Sequence, residues 1–161
     1  AVITEGDDLK AMQLSTTSTI EALYYHRKME YNPFNTKDEN TGPLVMNGKE
    51  IYKLAVSAST SEINKVLNDT GLSVDDISYF ICHQANLRII EAIRQHLNQP
   101  ESKFPHNIEK YGNTASATIP ILLDELHKSK KLKPGDLLVF SAFGAGFTTG
   151  TCIIRWSGNN N

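Results

Sequence analysis

In the middle of the chain the sequence reads Ile81-Cys82-His83-Gln84-Ala85-Asn86-Leu87-Arg88-Ile89-Ile90. The aromatic and β-branched residues that end at Cys82 are typical of a short buried strand. From Asn86 onward apolar residues recur at helical spacing, with charged residues on the opposite face. The stretch therefore predicts a strand followed directly by a helix, with His83 at the end of the strand.

The rest of the chain alternates between helical and extended patterns. Predicted helices cover residues 48–68, 86–97 and 114–128. Predicted strands or short extended segments cover residues 1–4, 77–82, 104–111, 137–143 and 149–156. Pro120 cannot donate a helical hydrogen bond, so it predicts a kink or a start after Thr114 in the third helix. This alternation predicts an α/β fold with crossover connections.

Two segments show no clear period. Residues 11–20 mix a few apolar side chains with Ser and Thr, and we expect an irregular segment there. Residues 31–43 are rich in Asn, Pro and Gly, which predicts a long loop or cap.

Length and composition exclude several classes of protein. The 161 residues, 40% of them apolar, predict a single domain with one core. The formal net charge of -2 does not favour a nucleic-acid partner, and no apolar run approaches the roughly 20 residues that span a membrane. Cys82 and Cys152 offer neither a disulfide framework nor metal-ligand spacing, which indicates a reducing, cytoplasmic setting and no metal site. Because residues 1–4 read as a strand already under way, we expect that the N-terminus has been cut.

Three points that follow apolar segments, at intervals of about thirty residues, form a candidate site. They are His83, Asn113 in Gly112-Asn113-Thr114, and the run Phe143-Gly144-Ala145-Gly146-Phe147. A neutral imidazole and a carboxamide can both donate to a developing oxyanion, and a glycine-rich turn brings backbone N–H groups near it. Each side chain also has a structural interpretation, His83 as a half-buried hydrogen-bonding residue and Asn113 as a turn or helix N-cap residue.

Local context excludes two other chemistries. Cys82 precedes His83, but adjacent side chains of a strand point to opposite faces, so we reject Cys82 as a nucleophile. The glycine run leads into a strand pattern, whereas a dinucleotide-binding fingerprint leads into a helix. The predicted site therefore lacks a nucleophile.

The order and spacing of these segments resemble the C-terminal half of β-ketoacyl-acyl carrier protein synthase III, a condensing enzyme of the thiolase superfamily. The similarity begins near Ala1 and covers nearly the whole chain. The segments that carry it are Met46-Asn47-Gly48-Lys49-Glu50-Ile51-Tyr52-Lys53, the stretch Ile81 to Ile90, Tyr111-Gly112-Asn113-Thr114-Ala115-Ser116-Ala117, Lys133-Pro134-Gly135-Asp136 and Phe143-Gly144-Ala145-Gly146-Phe147-Thr148-Thr149-Gly150.

The resemblance implies a fold and an activity. Residues 1–161 are expected to form one C-terminal thiolase-like domain, a five-stranded mixed sheet with helices on its faces. The N-terminal half, which carries the nucleophilic cysteine of the family, is absent from this sequence. The implied reaction is decarboxylative Claisen condensation of an acyl group from coenzyme A with malonyl-carrier protein in fatty acid synthesis. The isolated chain is then expected to be inactive.

The resemblance also implies roles for individual residues. His83 and Asn113 are the expected donor pair for the malonyl thioester oxygen, with Nε2–H of a neutral His83 as one donor. The backbone N–H of Ala145 is expected to serve the acyl-transfer step, although many relatives have glycine there and a methyl group requires a negative φ. Residues expected along the pantetheine channel or acyl tunnel are Gly48, Tyr52, Asn86, Phe143 and Phe147. Their structural alternatives are a turn at Gly48, a helix N-cap at Asn86 and core packing of the aromatic rings.

The expected partners follow from the same resemblance. They are the missing N-terminal half, acyl carrier protein, a coenzyme A thioester as substrate rather than a cofactor, and a second subunit in the intact homodimer. Because acyl carrier protein is acidic, Arg88 and Lys53 are expected to dock it, with Arg94 as a second choice and a plain solvated charge as the alternative. Two other functions remain open: another thiolase-superfamily synthase of the polyketide, quinolone or hydroxymethylglutaryl type, and a non-catalytic binding domain.

Overall fold

A computed structural model describes residues 6–18, 22–27 and 41–158 of the chain. The strands are β1 (Leu9–Thr16), β2 (Leu23–Arg27), β3 (Thr41–Met46), β4 (Tyr79–Cys82), β5 (Leu137–Gly144) and β6 (Thr148–Arg155). The helices are α1 (Gly48–Thr70), α2 (Leu87–His96), α3 (Ile108–Tyr111) and α4 (Thr118–Lys128). Short 3-10 turns lie at Val74–Asp76, Glu101–Lys103 and Ala115–Ala117.

The main sheet has the strand order β1-β6-β5-β4. β4 and β5 are parallel, whereas β5 with β6 and β1 with β6 are antiparallel, so the sheet is mixed. β2 and β3 form a separate antiparallel pair. The α/β class is confirmed, and in the part of the chain that the structure describes the main sheet has four strands where five were expected. The strand predicted for residues 1–4 lies outside the described residues.

The sheet separates two apolar clusters because successive side chains of a strand point to opposite faces. Phe80 and Val139 are buried on the face that α1 and α2 cover. Their neighbours Ile81 and Leu138 are buried against α4 on the opposite face. Helices therefore cover both faces of the sheet, as the expected fold requires.

The helices predicted for residues 48–68 and 114–128 are confirmed as α1 and α4, the second with a later start. The Asn47 side chain caps α1 by accepting from the Glu50 N–H at 3.2 Å, and Gly71 ends it with φ 68, a left-handed conformation that suits glycine. α4 begins only at Thr118, so Pro120 falls in its first turn, where a missing N–H costs no intrahelical bond. The later start predicted from Pro120 is thus correct.

The irregular segment expected at residues 11–20 is wrong for its first part, where β1 forms. The strand was hard to recognise because its polarity is reversed: Met12 and Leu14 are 60% and 65% exposed, whereas Ser15 points inward. The Ser15 hydroxyl donates to Glu62 Oε1 of α1 at 2.6 Å. A buried glutamate on α1 thus turns the polar face of β1 toward the helix, which removes the usual apolar signal.

The extended segment expected at residues 104–111 is also wrong. Its second half forms α3, in which the N–H groups of Lys110 and Tyr111 donate to the Asn107 carbonyl at 3.0 and 3.1 Å. The loop expected at residues 31–43 lies outside the described residues up to position 40, and residues 41–43 belong to β3.

Candidate functional site

His83 lies at the carboxyl end of β4, where the parallel strands β4 and β5 end at the same edge of the sheet. Its backbone N–H donates to the Ser141 carbonyl of β5 at 2.8 Å. Cys82 is buried in the cluster under α1 and α2, whereas the His83 ring contacts Thr118 at the start of α4. The two side chains therefore point to opposite faces. Burial raises the pKa of the Cys82 thiol to about 12, which supports its rejection as a nucleophile.

The His83 ring is fixed on two sides. Its Nδ1 lies 2.6 Å from the Thr118 hydroxyl oxygen, and its ring meets that of Phe143 edge to face at 5.3 Å between centroids. The ring is half-buried, and this burial lowers the pKa of His83 below the usual 6.5 because water no longer solvates the cation. The imidazole is therefore neutral near pH 7.

Asn113 follows the short helix α3. Gly112 ends that helix with φ 67, and its N–H donates to the Ile108 carbonyl at 2.7 Å. The Asn113 Oδ1 accepts the N–H of Ala115 at 2.9 Å, which is the turn role foreseen as the alternative. Because this bond uses Oδ1, the amide nitrogen keeps both of its hydrogens for another acceptor.

One cavity of about 700 Å³ brings most of the predicted residues together. Its lining includes His83, Asn113, Gly48, Tyr52, Asn86, Arg88 and Phe143, together with Phe147. A second cavity of about 420 Å³ lies toward α4. Both cavities are lined by His83, Asn113, Phe143 and Gly144. The imidazole and the carboxamide thus lie at the boundary between two spaces, at the carboxyl edge of the sheet.

A larger open groove of about 1030 Å³ lies elsewhere, beside Tyr79, Phe104 and Leu126. None of the predicted site residues lines it. Size alone therefore does not identify the site, and the smaller cavity has the convergent polar groups that a binding site needs.

The glycine-rich turn between β5 and β6 is tightly held. Phe147 exchanges two backbone hydrogen bonds with Thr17, at 2.6 and 2.8 Å, and its ring stacks on that of Phe143 at 5.6 Å. Gly146 has φ 143, and a Cβ there would collide with the Thr148 side chain, so glycine is required at this position. Ala145 is exposed and lies outside the left-handed region, so its methyl group is tolerated.

The remaining predicted site residues lie on α1 and α2 or at the starts of these helices. Asn86 is the N-cap of α2, since its Oδ1 accepts the Arg88 N–H at 2.9 Å, and it also lines the 700 Å³ cavity. Gly48 is the first residue of α1, and a Cβ there would meet no neighbour within 4 Å. Lys53 is exposed on α1 but does not line the cavity, and neither does Ala145. The Arg94 guanidinium is already bonded to Glu91 at 2.8 Å.

Sequence reasoning missed three residues at this site. Thr118 contacts Nδ1 of His83, Lys49 lines the 700 Å³ cavity, and Gln84, the residue after His83, is fully buried. The Gln84 amide donates to the Cys82 carbonyl at 2.7 Å and accepts the Asn107 N–H at 3.2 Å, so it ties β4 to the segment that carries Asn113. Gln84 belongs to the quoted motif and could have been found as a polar residue beside a buried strand. Thr118 carries no such signal.

The described residues contain no group of three or more His, Cys, Asp and Glu side chains arranged to hold a metal ion. Both cysteines are free. Among the helices of residues 6–18, 22–27 and 41–158, none has the length and apolar content needed to cross a membrane.

Comparison with known proteins gives consistent results. Residues 67–156, more than half of the chain, match the family model described as 3-oxoacyl-[acyl-carrier-protein (ACP)] synthase III C terminal. A beta-ketoacyl-[acyl-carrier-protein] synthase III of Pyropia yezoensis is 48% identical over 117 residues, which covers 73% of this chain and 36% of that protein. One from Clostridium acetobutylicum is 38% identical over 162 residues, which covers 98% of this chain and 50% of that protein.

A solved structure of synthase III from Thermus thermophilus superposes with a TM-score of 0.83 at 33% identity, over 98% of this chain and 49% of that one. This confirms the expected thiolase-like half. The chain spans half or less of the length of the curated relatives that it matches. By sequence and by fold, the chain belongs to the family of 3-oxoacyl-[acyl-carrier-protein] synthase III C-terminal domains.

Proposed function

We propose that this chain is the C-terminal catalytic half of a β-ketoacyl-acyl carrier protein synthase III. The enzyme would condense an acyl group, taken from a coenzyme A thioester, with malonyl-carrier protein. The observation that carries this proposal is that the His83 imidazole and the Asn113 carboxamide line the same cavity. Among the described residues the Asn113 amide nitrogen has no acceptor, and burial lowers the pKa of His83, which favours the neutral ring. Both can donate a hydrogen bond, and neither is required to ionise.

The proposed role of the pair is to stabilise negative charge during decarboxylation. When carbon dioxide leaves, the electron pair of the broken C–C bond moves into the thioester and forms an enolate. Nε2–H of His83 and Nδ2–H of Asn113 would donate to its oxygen. The enolate carbon then attacks the acyl thioester on the cysteine of the other half, and that thiolate leaves. Removal of one such donor costs on the order of 3 kcal/mol, or roughly 100-fold in rate.

The cavity would hold the pantetheine arm of the substrate. Tyr52 and Phe143 offer apolar walls, and the N-cap Asn86 has an amide nitrogen available for a polar group of the arm. Arg88 and Lys49 line the cavity and are exposed, which suits an acidic carrier protein at its mouth, with Lys53 one helical turn away. The backbone N–H of Ala145 is our candidate for the acyl oxyanion.

The proposal includes partners that supply the rest of the enzyme. An N-terminal half would bring the nucleophilic cysteine, and the intact enzyme would be a homodimer that uses coenzyme A thioesters as substrates and has no bound cofactor. A reducing, cytoplasmic setting is supported by the two free cysteines. The isolated chain would then have no condensing activity.

The test joins this chain to the N-terminal half of the Clostridium relative. We expect no product from the chain alone with acetyl-coenzyme A and malonyl-carrier protein, and product from the joined protein. In the joined protein, His83→Ala or Asn113→Ala should lower malonyl decarboxylation at least about 100-fold, while acyl transfer to the cysteine persists. Lys128→Ala, an exposed change on α4, is the matched control.

Three results would count against the proposal. Turnover by the isolated chain would disprove the need for a second half. Decarboxylation at the wild-type rate in both variants would show that His83 and Asn113 are not the donor pair. Specific carrier-protein binding by the isolated chain, with no turnover in any joined protein, would favour a non-catalytic binding domain.

A further inference from the structure

The hydroxyl of Thr118 is the hydrogen-bond partner of His83 inside the fold. Thr118 is the first residue of α4, its side chain is buried, and its Oγ1 lies 2.6 Å from Nδ1 of His83. In the part of the chain that the structure describes, Nε2 of His83 has no hydrogen-bond partner, and the ring lines both cavities. One ring nitrogen is therefore held by the protein while the other is left for a ligand.

The direction of this hydrogen bond decides which nitrogen carries the proton. A neutral imidazole has one N–H donor and one acceptor nitrogen. If the hydroxyl donates to Nδ1, the proton lies on Nε2, and the ring can donate into the cavity. If Nδ1–H donates to the hydroxyl, Nε2 has only a lone pair and cannot donate.

Two observations favour the first arrangement. The Thr118 hydroxyl is within donating distance of the Ala115 carbonyl, at 3.1 Å, but Nδ1 lies nearer to it, at 2.6 Å. The Ala115 carbonyl already accepts the backbone N–H of Thr118, so it is satisfied without the hydroxyl. The hydroxyl can therefore donate its proton to Nδ1 without leaving the carbonyl unpaired.

A flip of the His83 ring is disfavoured. A flip would replace Nδ1 by a carbon and lose the Thr118 hydrogen bond, and the ring of Phe143 packs edge to face against the imidazole at 5.3 Å. Burial keeps the ring neutral, because it lowers the pKa of His83. A buried neutral histidine with one accepting nitrogen is the state that can donate from the other.

We propose that Thr118 is a positioning residue that donates its hydroxyl proton to Nδ1 of His83 and thereby keeps the Nε2 proton directed into the cavity. The catalytic consequence rests on the proposed function. The tautomer itself does not, since it follows from groups that all belong to this chain.

The experiment reads the two ring nitrogens directly. The ¹⁵N-labelled chain is studied by long-range ¹H–¹⁵N NMR at mildly alkaline pH, with His83→Asn to assign the His83 signals. We expect a protonated Nε2 and a hydrogen-bonded, unprotonated Nδ1 in the wild type and in Thr118→Ser. In Thr118→Val, which has the same shape without the hydroxyl, the Nδ1 signal should move toward that of an unbonded pyridine-type nitrogen.

A proton on Nδ1 in the wild type would overturn the proposal, as would an unchanged Nδ1 signal in Thr118→Val. If Thr118→Val does not fold, Thr118→Ala serves as a second variant without the hydroxyl, and the wild-type spectrum alone is already decisive.

Activity in the joined protein separates this inference from the function on which it rests. There, Thr118→Val should lower kcat for decarboxylation roughly 10-fold at unchanged KM, as misplacement of a catalytic group does, and Thr118→Ser should restore it. The predicted tautomer in a joined protein without activity would refute the proposed function and leave the role of Thr118 intact. An active protein with the opposite tautomer would refute only the role of Thr118.

Discussion

Replacement of Glu125 by alanine should loosen the segment that carries Asn113. Glu125 lies on α4 and accepts hydrogen bonds from the Asn107 amide at 2.8 Å, Lys110 Nζ at 2.8 Å and the Tyr111 hydroxyl at 2.6 Å. These three donors belong to α3 and to the residue that precedes it. One carboxylate therefore fixes the short helix, which ends two residues before Asn113.

The expected loss follows from the surroundings of each donor. Asn107 is buried, and a buried donor left without a partner costs about 1–3 kcal/mol. The Lys110 side chain is 63% exposed, so solvent screens its ion pair and its loss adds little. We therefore expect Glu125→Ala to lower the free energy of unfolding by about 2 kcal/mol in total.

The loss should depend on pH with a definite sign. The hydrogen bonds from Lys110, Tyr111 and Asn107 lower the pKa of Glu125 from 4.5 to about 2. A carboxyl group with a lowered pKa in the folded state stabilises the protein above its unfolded pKa. This stabilisation is lost as the pH falls from about 4.5 toward 2, so the difference between wild type and Glu125→Ala should narrow in that window.

Urea unfolding at neutral and acid pH measures both effects, with Asp124→Ala as the matched control. Asp124 is the neighbouring residue of α4, and its partner in the described part of the chain is the exposed Lys128, so its loss should cost much less than that of Glu125. Faster amide exchange at residues 112–114 should accompany the Glu125 change. Equal losses for the two variants, or a difference that does not vary with pH, would refute this reasoning.

Two further predictions concern the face of the sheet beneath α1. Glu62→Ala should lower the free energy of unfolding by about 3 kcal/mol, because buried hydroxyls such as that of Thr149 lose their acceptor. Glu62→Gln should lower it less, since its amide keeps an accepting oxygen. Thermal unfolding of both variants measures this, and equal losses would contradict it. Cys82 should resist thiol reagents in the folded chain, since its side chain is buried and burial raises its pKa to about 12. Burial also raises the pKa of Cys152, but this residue is less buried and should react first. Rapid labelling of Cys82 before unfolding would be inconsistent with the structure.

Much of the fold could be predicted because local patterns and packing agree. The period of apolar residues in α1 matches its buried face, and Asn47 and Gly71 act as its caps. The alternation in β4 and β5 matches the two clusters that the sheet separates. In these elements each residue type suits the side on which it is buried, so a single sequence is informative.

The predictions of secondary structure were wrong where a residue distant in sequence determines which side of a segment is buried, or whether it is helical. β1 has exposed apolar and inward polar side chains because Glu62, which lies far from it in sequence, provides the acceptor for Ser15. α3 is a single helical turn fixed by Glu125 from another helix. Neither effect can be read from the segment alone.

At the candidate site, too, some residues could be predicted from the sequence and others could not. His83 and Asn113 could be selected because their chemistry is visible in the motif, and both line one cavity. Thr118 could not, since its contact with His83 depends on where α4 begins in space. The roles of these residues stay predictions until the experiments above are done.

The buried amide of Gln84 has a consequence for how the two donors keep their spacing. It bonds the end of β4 through the Cys82 carbonyl and the start of the Asn113 segment through the Asn107 N–H. A displacement of either backbone would strain a hydrogen bond to this amide, so Gln84 couples the positions of the two segments that carry the imidazole and the carboxamide. A substitute must both donate and accept a hydrogen bond, which makes an ionised glutamate or a leucine a poor replacement at this position.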